Sequence, residues 1–394
     1  MTLTTTARDV QFADLRTLLE QQQEAKIDAV VPAARMRSKG GIIHLTGTEP
    51  VLTDEGVTLT DGRYEPTRVF DEGLADKLGI PLKYLRTMRE QRPDLYDANV
   101  NGWLHGKSIR RGDGSTDVLA PADRRNFFFR GFRNHEDGGL GYGRALLSDS
   151  YGVMDNLDVL TAVLSGVREA GVNIEIGRCD LTDRRMYVSL NAPEVAIAAP
   201  ALLAGYRSPF SGAYGADNPI VHASIKIANS EVGDGATVLT PSVVAKVCDN
   251  GMTQVFDAVR SVHVGGRMPE GVVRWSADTE RKNLAVITAK ARDAVASFLS
   301  TDYLRAAVAR MEAEAGIEVA DAAKTIEVVA SKLKFTEAER AGVLDHFIKG
   351  GQLTAGGVMQ AVTSYCQLVE DADSAHTLQD QGVAAMHVAA TLTR

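Results

Sequence analysis

The sequence predicts an α+β fold: a mostly antiparallel sheet with a packed helix in a strand-strand-helix-strand core, followed by an all-helical C-terminal subdomain. Three observations predict it. Between about residues 116 and 270, apolar residues alternate in paired runs, the pattern of half-buried strands. A single stretch, Leu157 to Ala170, breaks into those pairs with apolar residues at the spacing of one helix face. Beyond Trp275 the period is helical almost to the C-terminus. Runs of strands followed by runs of helices point to α+β rather than to a regularly alternating parallel sheet.

Three regions follow: 1–115, mixed helix and strand; 116–270, the β-rich core; and 271–394, the helical subdomain. In the first, 11–30 reads as a helix with Phe12, Leu15, Leu18 and Leu19 on one face, stopped by Pro32. Ile42, Ile43, Leu45, Val57 and Leu59, with the turn dipeptide Asp61-Gly62, predict short strands, and Leu74 to Arg89 predicts one or two helices around Pro81. In the second region, 118–132 and 138–153 form a hairpin across a Gly-containing loop, His135 to Gly139. Asn156 stands as the N-cap of the following helix and Gly171 as its stop. Val172, Ile174 and Ile176, then Met186, Val188 and Leu190, alternate as a second hairpin; 222–230 and 236–248 flank the turn Glu231 to Gly235 as a third. The tail reads as six helices, starting near Asp278, Asp302, Ala320, Glu337, Thr354 and Ser374. Thr336-Glu337-Ala338-Glu339 matches a capping box, and Gly350-Gly351 an ending.

Composition narrows the function classes. With 394 residues, 44% hydrophobic and 24% charged, and only 12 Pro and 3 Cys, the chain is neither disordered nor collagenous nor a disulfide scaffold. The uncharged run Val195 to Tyr206 is interrupted by Pro200, and no membrane partner is expected. The start, MTLTTTARD, has no basic segment leading into an apolar one, so the expected compartment is the cytoplasm. Cys179, Cys248 and Cys366 lack metal-ligand spacing and read as core thiols. The net charge of −8 argues against a protein that coats duplex DNA. Locally the balance reverses, with Arg124, Arg125, Arg130, Arg133 and Arg144 against Asp123, Glu136 and Asp137. The acid gathers in the tail, at Glu312, Glu314, Glu318 and Asp321 and again at Glu370, Asp371, Asp373 and Asp380.

In Arg124 to Arg133, arginines interleave with Phe127, Phe128, Phe129 and Phe132, placing cations beside flat rings as single-stranded nucleic acid requires. The alternative is a strand whose rings are core and whose arginines are solvated, since successive residues face opposite sides. Gly138 to Arg144 lacks the Lys-Ser/Thr of a P-loop and the context of a dinucleotide fingerprint, and reads as a hairpin tip. His222, His263, Cys248 and Glu231 show no ligand spacing. Asp149, Asp155, Asp180 and Asp183 are compatible with magnesium binding in a nuclease, but acids at turns usually serve as caps and turn formers.

SEVGDGA (230–236), KVCDNGM (246–252) and VHVGG (262–266) are followed by AVTSYCQLVEDADSAHTLQDQGVAAM and preceded by GRALLSDSYGVMDN (143–156). In this order they resemble the phage- and plasmid-encoded family catalogued as domain of unknown function 932, over most of 116–390. Its core is similar to single-strand annealing proteins of the Rad fifty-two type. The resemblance implies single-stranded DNA binding and strand annealing in phage-type recombination, without ATP, cofactor or enzymatic activity, by a homo-oligomeric ring or filament. On that expectation Arg124, Arg125, Arg130, Arg133 and Arg144 contact phosphates, Phe128 or Tyr142 stacks bases, and Lys226 and Lys246 extend the path. The acidic helical tail would meet a protein partner. Two alternatives stand beside it: a non-catalytic oligomeric interaction protein of a mobile element, and a metal-dependent nuclease using Asp149, Asp180 or Asp183.

Overall fold

A computed structural model describes residues 4–53, 56–112, 116–133, 139–149, 151–248, 250–261, 266–268, 271–273 and 277–392. The loop expected at His135 to Gly139 lies largely outside them, as do His263 and Trp275. The chain begins β1 (Ala7–Val10), α1 (Phe12–Ala25), β2 (Lys26–Pro32), β3 (Met36–Lys39), β4 (Ile42–Leu45), β5 (Val51–Thr53), β6 (Gly56–Thr58) and β7 (Gly62–Pro66). Next come α2 (Arg68–Leu78), α3 (Leu82–Gln91), α4 (Pro93–His105), β8 (Lys107–Arg110), β9 (Thr116–Ala120), β10 (Asn126–Phe132), β11 (Gly141–Ser148) and α5 (Asn156–Ala170). Then follow β12 (Glu175–Leu181), β13 (Met186–Ala198), α6 (Pro200–Leu203), β14 (Ile220–Asn229), β15 (Thr237–Ala245), β16 (Asn250–Thr253), β17 (Val259–Ser261), β18 (Gly266–Met268) and β19 (Gly271–Val273). The tail is α7 (Ala277–Phe298), α8 (Thr301–Ala315), α9 (Ala322–Leu333), α10 (Glu337–Gly350), α11 (Ala355–Tyr365) and α12 (Ala372–Leu392).

The fold is α+β, and its strands form two principal sheets rather than one. The first sheet has the order β2-β10-β11-β7-β4-β3, antiparallel except for β11 beside β7. The second has the order β1-β12-β13-β14-β15-β16, antiparallel throughout, with β17 also on β15. The regions divided near residue 115 are therefore interleaved. β10 and β11 complete the first sheet by pairing with β2 and β7, while β1 and α1 belong to the second.

The helix expected over 11–30 ends at Ala25. From Lys26 the period changes to two: Ile27, Ala29 and Val31 are buried while Lys26, Asp28 and Val30 are half-buried. The switch is tertiary, because β10 pairs with every residue of this stretch. Asn156 is the first residue of α5 rather than its cap, which is Asp155. Gly171, at φ +68°, ends that helix in the left-handed conformation a side chain disfavours. The capping box is present: the Thr336 hydroxyl accepts from Glu339 N, and the Glu339 carboxylate from Thr336 N.

Each sheet has its own core. In the first, Ile27, Val31, Phe127, Phe129, Ile43 and Tyr64 pack on Phe70, Leu74, Leu85, Tyr96 and Val100 of α2, α3 and α4. α4 also covers the edge strand, its Asn101 accepting from Ser38 N and donating to Ser38 O. In the second, Val188, Leu190, Ile225 and Ile227 pack in one cluster with Leu15 of α1, Val163 of α5, Ile287 of α7 and Val358 of α11. Among the described residues no helix is long and apolar enough to cross a membrane.

Candidate functional site

The two sheets meet at a buried ionic junction, and the junction takes two of the arginines expected on nucleic acid, Arg130 and Arg144. Arg130 is 2% exposed. Its guanidinium donates to both Asp28 oxygens at 2.9 and 2.8 Å, to Asp155 Oδ1 at 2.6 Å and to the Glu231 carbonyl at 2.8 Å. Lys26 donates to the other Asp155 oxygen at 2.6 Å. Arg144 is buried against the Glu231 carboxylate, whose second oxygen accepts from Asn156 N. Burial works to raise the Asp155 carboxyl, but Arg130 and Lys26 outweigh it and hold Asp155 well below the carboxylate range. Asp28 is pushed up, because there burial outweighs Arg130. A guanidinium saturated by two carboxylates and a carbonyl cannot also bind phosphate, so Arg130 and Arg144 hold the sheets together instead. Phe128 is 8% exposed and faces Tyr151, so it is not a free stacking platform in this chain.

The Ser230–Gly235 turn supplies the second half of this latch. Asn229 donates to Asn156 Oδ1 at 2.8 Å and to the Met154 carbonyl at 3.1 Å, while its own oxygen accepts from Thr237 Oγ1 at 2.6 Å. The Ser230 hydroxyl accepts from Asp234 N at 3.0 Å, closing the turn, and Val232 packs on Ala145 of β11. The Ser-Glu-x-Gly motif is thus a turn whose Glu231 reaches across to the first sheet.

Lys226 is 4% exposed and ion-paired with Asp380 of α12, which withdraws it from any surface path. It lies instead at a groove of about 360 Å³ between the second sheet and the α11–α12 pair. The face under α12 is polar: Asn191, Ser224 and Ser242 are directly opposite one another across β13, β14 and β15, and Thr253 of β16 extends the row. Asp180 accepts from Arg8 Nη1 at 2.6 Å and from Asp9 N at 2.7 Å, and lies 2.8 Å from His376 Nε2. Burial opposes the Asp180 charge, yet these partners keep the carboxyl below its usual value. Burial lowers the His376 imidazole despite Asp180, and the ring stacks on Tyr187 with centroids 3.8 Å apart. Gly251, of the Asn-Gly-Met motif, sits under α12; a Cβ there would lie 2.2 Å from Gln379 Nε2. Cys366 borders the groove, its thiol pushed up to about 12 by burial, which makes it a poor nucleophile.

The remaining expected residues are scattered. Arg124 is exposed, and Arg125 is exposed but held by Asp123 at 2.7 Å. Arg133 is half-buried just past the far end of β10, roughly 30 Å away along a strand rising about 3.3 Å per residue. Lys246 is exposed in the turn after β15, on the other sheet. Tyr142 is half-buried, opposite Glu65 of β7.

Beyond Tyr142 the first sheet's outer face opens to solvent. Met36, Ser38, Ile43, Leu45 and Tyr64 point into the core, so Arg37, Lys39, His44 and Arg63 point out. Arg37, His44 and Arg63 are directly opposite one another across β3, β4 and β7. Among the described residues no carboxylate pairs with Arg37 or Lys39. Burial, then the charges of Lys39 and Arg63, lower the His44 imidazole below its usual value. None of these four residues was singled out from the sequence; the legible signal was alternation of Met36-Arg37-Ser38-Lys39 beside Ile43-His44-Leu45.

Asp155 lies in the junction and Asp180 in the groove, and among the described residues no three His, Cys, Asp or Glu side chains converge as a metal cluster. Fold and sites define a two-sheet α+β protein with a buried ionic junction, a covered polar groove and an open cationic sheet face. Compared with models of known protein families, with curated proteins and with solved structures, the chain matches none.

Proposed function

We propose that the protein holds single-stranded nucleic acid along the open outer face of the first sheet and promotes its pairing with a complement without ATP. One observation carries this: Arg37 and Lys39 project from β3 beside His44 on an exposed sheet face, and among the described residues no carboxylate pairs with either. Tyr142 borders that face and offers a ring for a base. The segment Lys26 to Arg133 carries 18 Lys and Arg against 15 Asp and Glu, in a chain whose net charge is −8. The cationic surface is therefore regional, and the acidic tail does not dilute it.

The test is a titration of a labelled single-stranded oligonucleotide at low and moderate salt, with a duplex of equal length as control and the complement added last. Salt-sensitive preference for the single strand, with accelerated pairing, supports the proposal. Arg37→Ala with Lys39→Ala should lower the salt slope by about 1.4, at roughly 0.7 per phosphate contact. No binding at low salt, or an unchanged slope, would overturn the assignment.

A second reading, an oligomeric interaction protein, is favoured by the β8–β9 hairpin, where Ile109 and Leu119 are exposed on one face and Val118 on the other. Self-association at micromolar concentration, abolished by Ile109→Asp and Leu119→Asp, with no affinity for either oligonucleotide, would favour that reading over strand binding.

A further inference from the structure

We infer that the groove beneath α12 is a binding site for a small uncharged ring compound rich in hydroxyl or amide groups, of nucleoside or saccharide size. The inference is independent of strand binding on the other sheet.

A sheet face covered by helices is normally apolar, as the opposite face of this sheet is at Val188, Leu190, Ile225 and Ile227. Here the covered face presents Asn191, Ser224 and Ser242 in line across three strands about 4.8 Å apart, a row of roughly 10 Å. Polar groups under a helix cost stability unless something hydrogen-bonds to them. Ser242 is 5% exposed, yet its hydroxyl has no hydrogen-bond partner among the described residues; nor does His376 Nδ1. With Nε2 facing Asp180 at 2.8 Å, Nδ1 is the ring nitrogen left for another partner. Both residues line the groove, which therefore offers an unpaired hydroxyl and an unpaired ring nitrogen.

Size and charge define the ligand class. A volume of about 360 Å³ suits one or two rings. Each cation at the groove is already matched: Arg8 by Asp180, Arg178 by Asp9 at 3.5 Å, and Lys226 by Asp380. Among the described residues no unmatched charge is left at the groove for a phosphate or an ammonium to neutralise, whereas the hydroxyl and amide row is suited to a neutral polar ring. Gly251 keeps this geometry, since it lets Gln379 of α12 approach the sheet.

The test uses the full chain and two sets of probes, adenosine and cytidine as nucleosides, glucose and maltose as saccharides, read by saturation-transfer NMR and by thermal shift. Binding by one set, with a dissociation constant near or below about 1 mM, supports the inference and identifies the source. Ser242→Ala and Asn191→Ala should each weaken it about tenfold, the loss of one well-placed hydrogen bond. Ser224→Ala serves if either variant fails to fold. Arg37→Ala with Lys39→Ala should leave probe binding unchanged, which separates this site from the strand surface. The inference is overturned if the folded protein binds neither set up to about 10 mM, or if binding persists undiminished in the groove variants.

Discussion

The first sheet places its own cations under opposite regimes. On β10 and β11, Arg130 and Arg144 are enclosed with Asp28, Asp155 and Glu231 and cannot meet a ligand. On β3, at the far edge of the same sheet, Arg37 and Lys39 stand in solvent. The second sheet differs again, burying Lys226 under α12 beside an uncharged polar row. An arginine's function is thus set by what covers its face: a countercharge makes it a structural tie, and solvent leaves it available to a polyanion.

The largest effect expected is at the junction. Arg130→Ala leaves Asp28 and Asp155 buried without their main countercharge and should cost about 3–5 kcal/mol in urea unfolding. A cost as small as that of an exposed arginine would show that the junction does not tie the sheets. The same site bears on acid stability. Asp155 and Asp180, held below their usual values, stabilise the fold above the unfolded carboxylate range, and that contribution is lost as pH falls through their lower folded values. Asp28, raised by burial, acts in the opposite sense as pH rises past the unfolded value. The urea midpoint should therefore fall below about pH 4, and less steeply in Arg130→Ala, where Asp155 has lost its main partner.

The contact of α12 with the second sheet gives an intermediate effect. Gly251→Ala should cost about 1 kcal/mol, since its Cβ meets the amide end of the flexible Gln379 side chain, which must move aside. Gln379→Ala in the same chain should recover part of that loss, a coupling measurable in a double-mutant cycle. A cost that Gln379→Ala leaves untouched would mean that the helix does not press on this glycine. Thr336→Ala, remote from both sheets, should cost about 1 kcal/mol by removing one cap, a reference for ordinary local losses. Smallest is Arg37→Ala, expected within about 0.5 kcal/mol of the parent in stability while oligonucleotide affinity drops. Stability and binding should thus separate at Arg37 and not at Arg130.

Elements whose instructions are local were legible in the chain. α5 and its Gly171 stop, the helices of the tail, the Thr336 capping box and the hairpins of the second sheet all rest on periodicity or on residues within four positions of one another. The α+β class followed from the order of those periods. Alternation also showed that neighbouring residues of β10 face opposite sides, but it could not say which side another part of the molecule would cover. That depended on β2, about a hundred residues earlier, pairing with β10, and on Glu231, about a hundred residues later, closing over it. The groove was equally hidden, because Arg8, Asp180, Ser242 and His376 are brought together only by the packing of β1, the second sheet and α12. Local periodicity is encoded over a few residues, whereas the burial of a charge is decided by chain segments far apart in sequence, so the elements could be read in advance and the role of each cation could not.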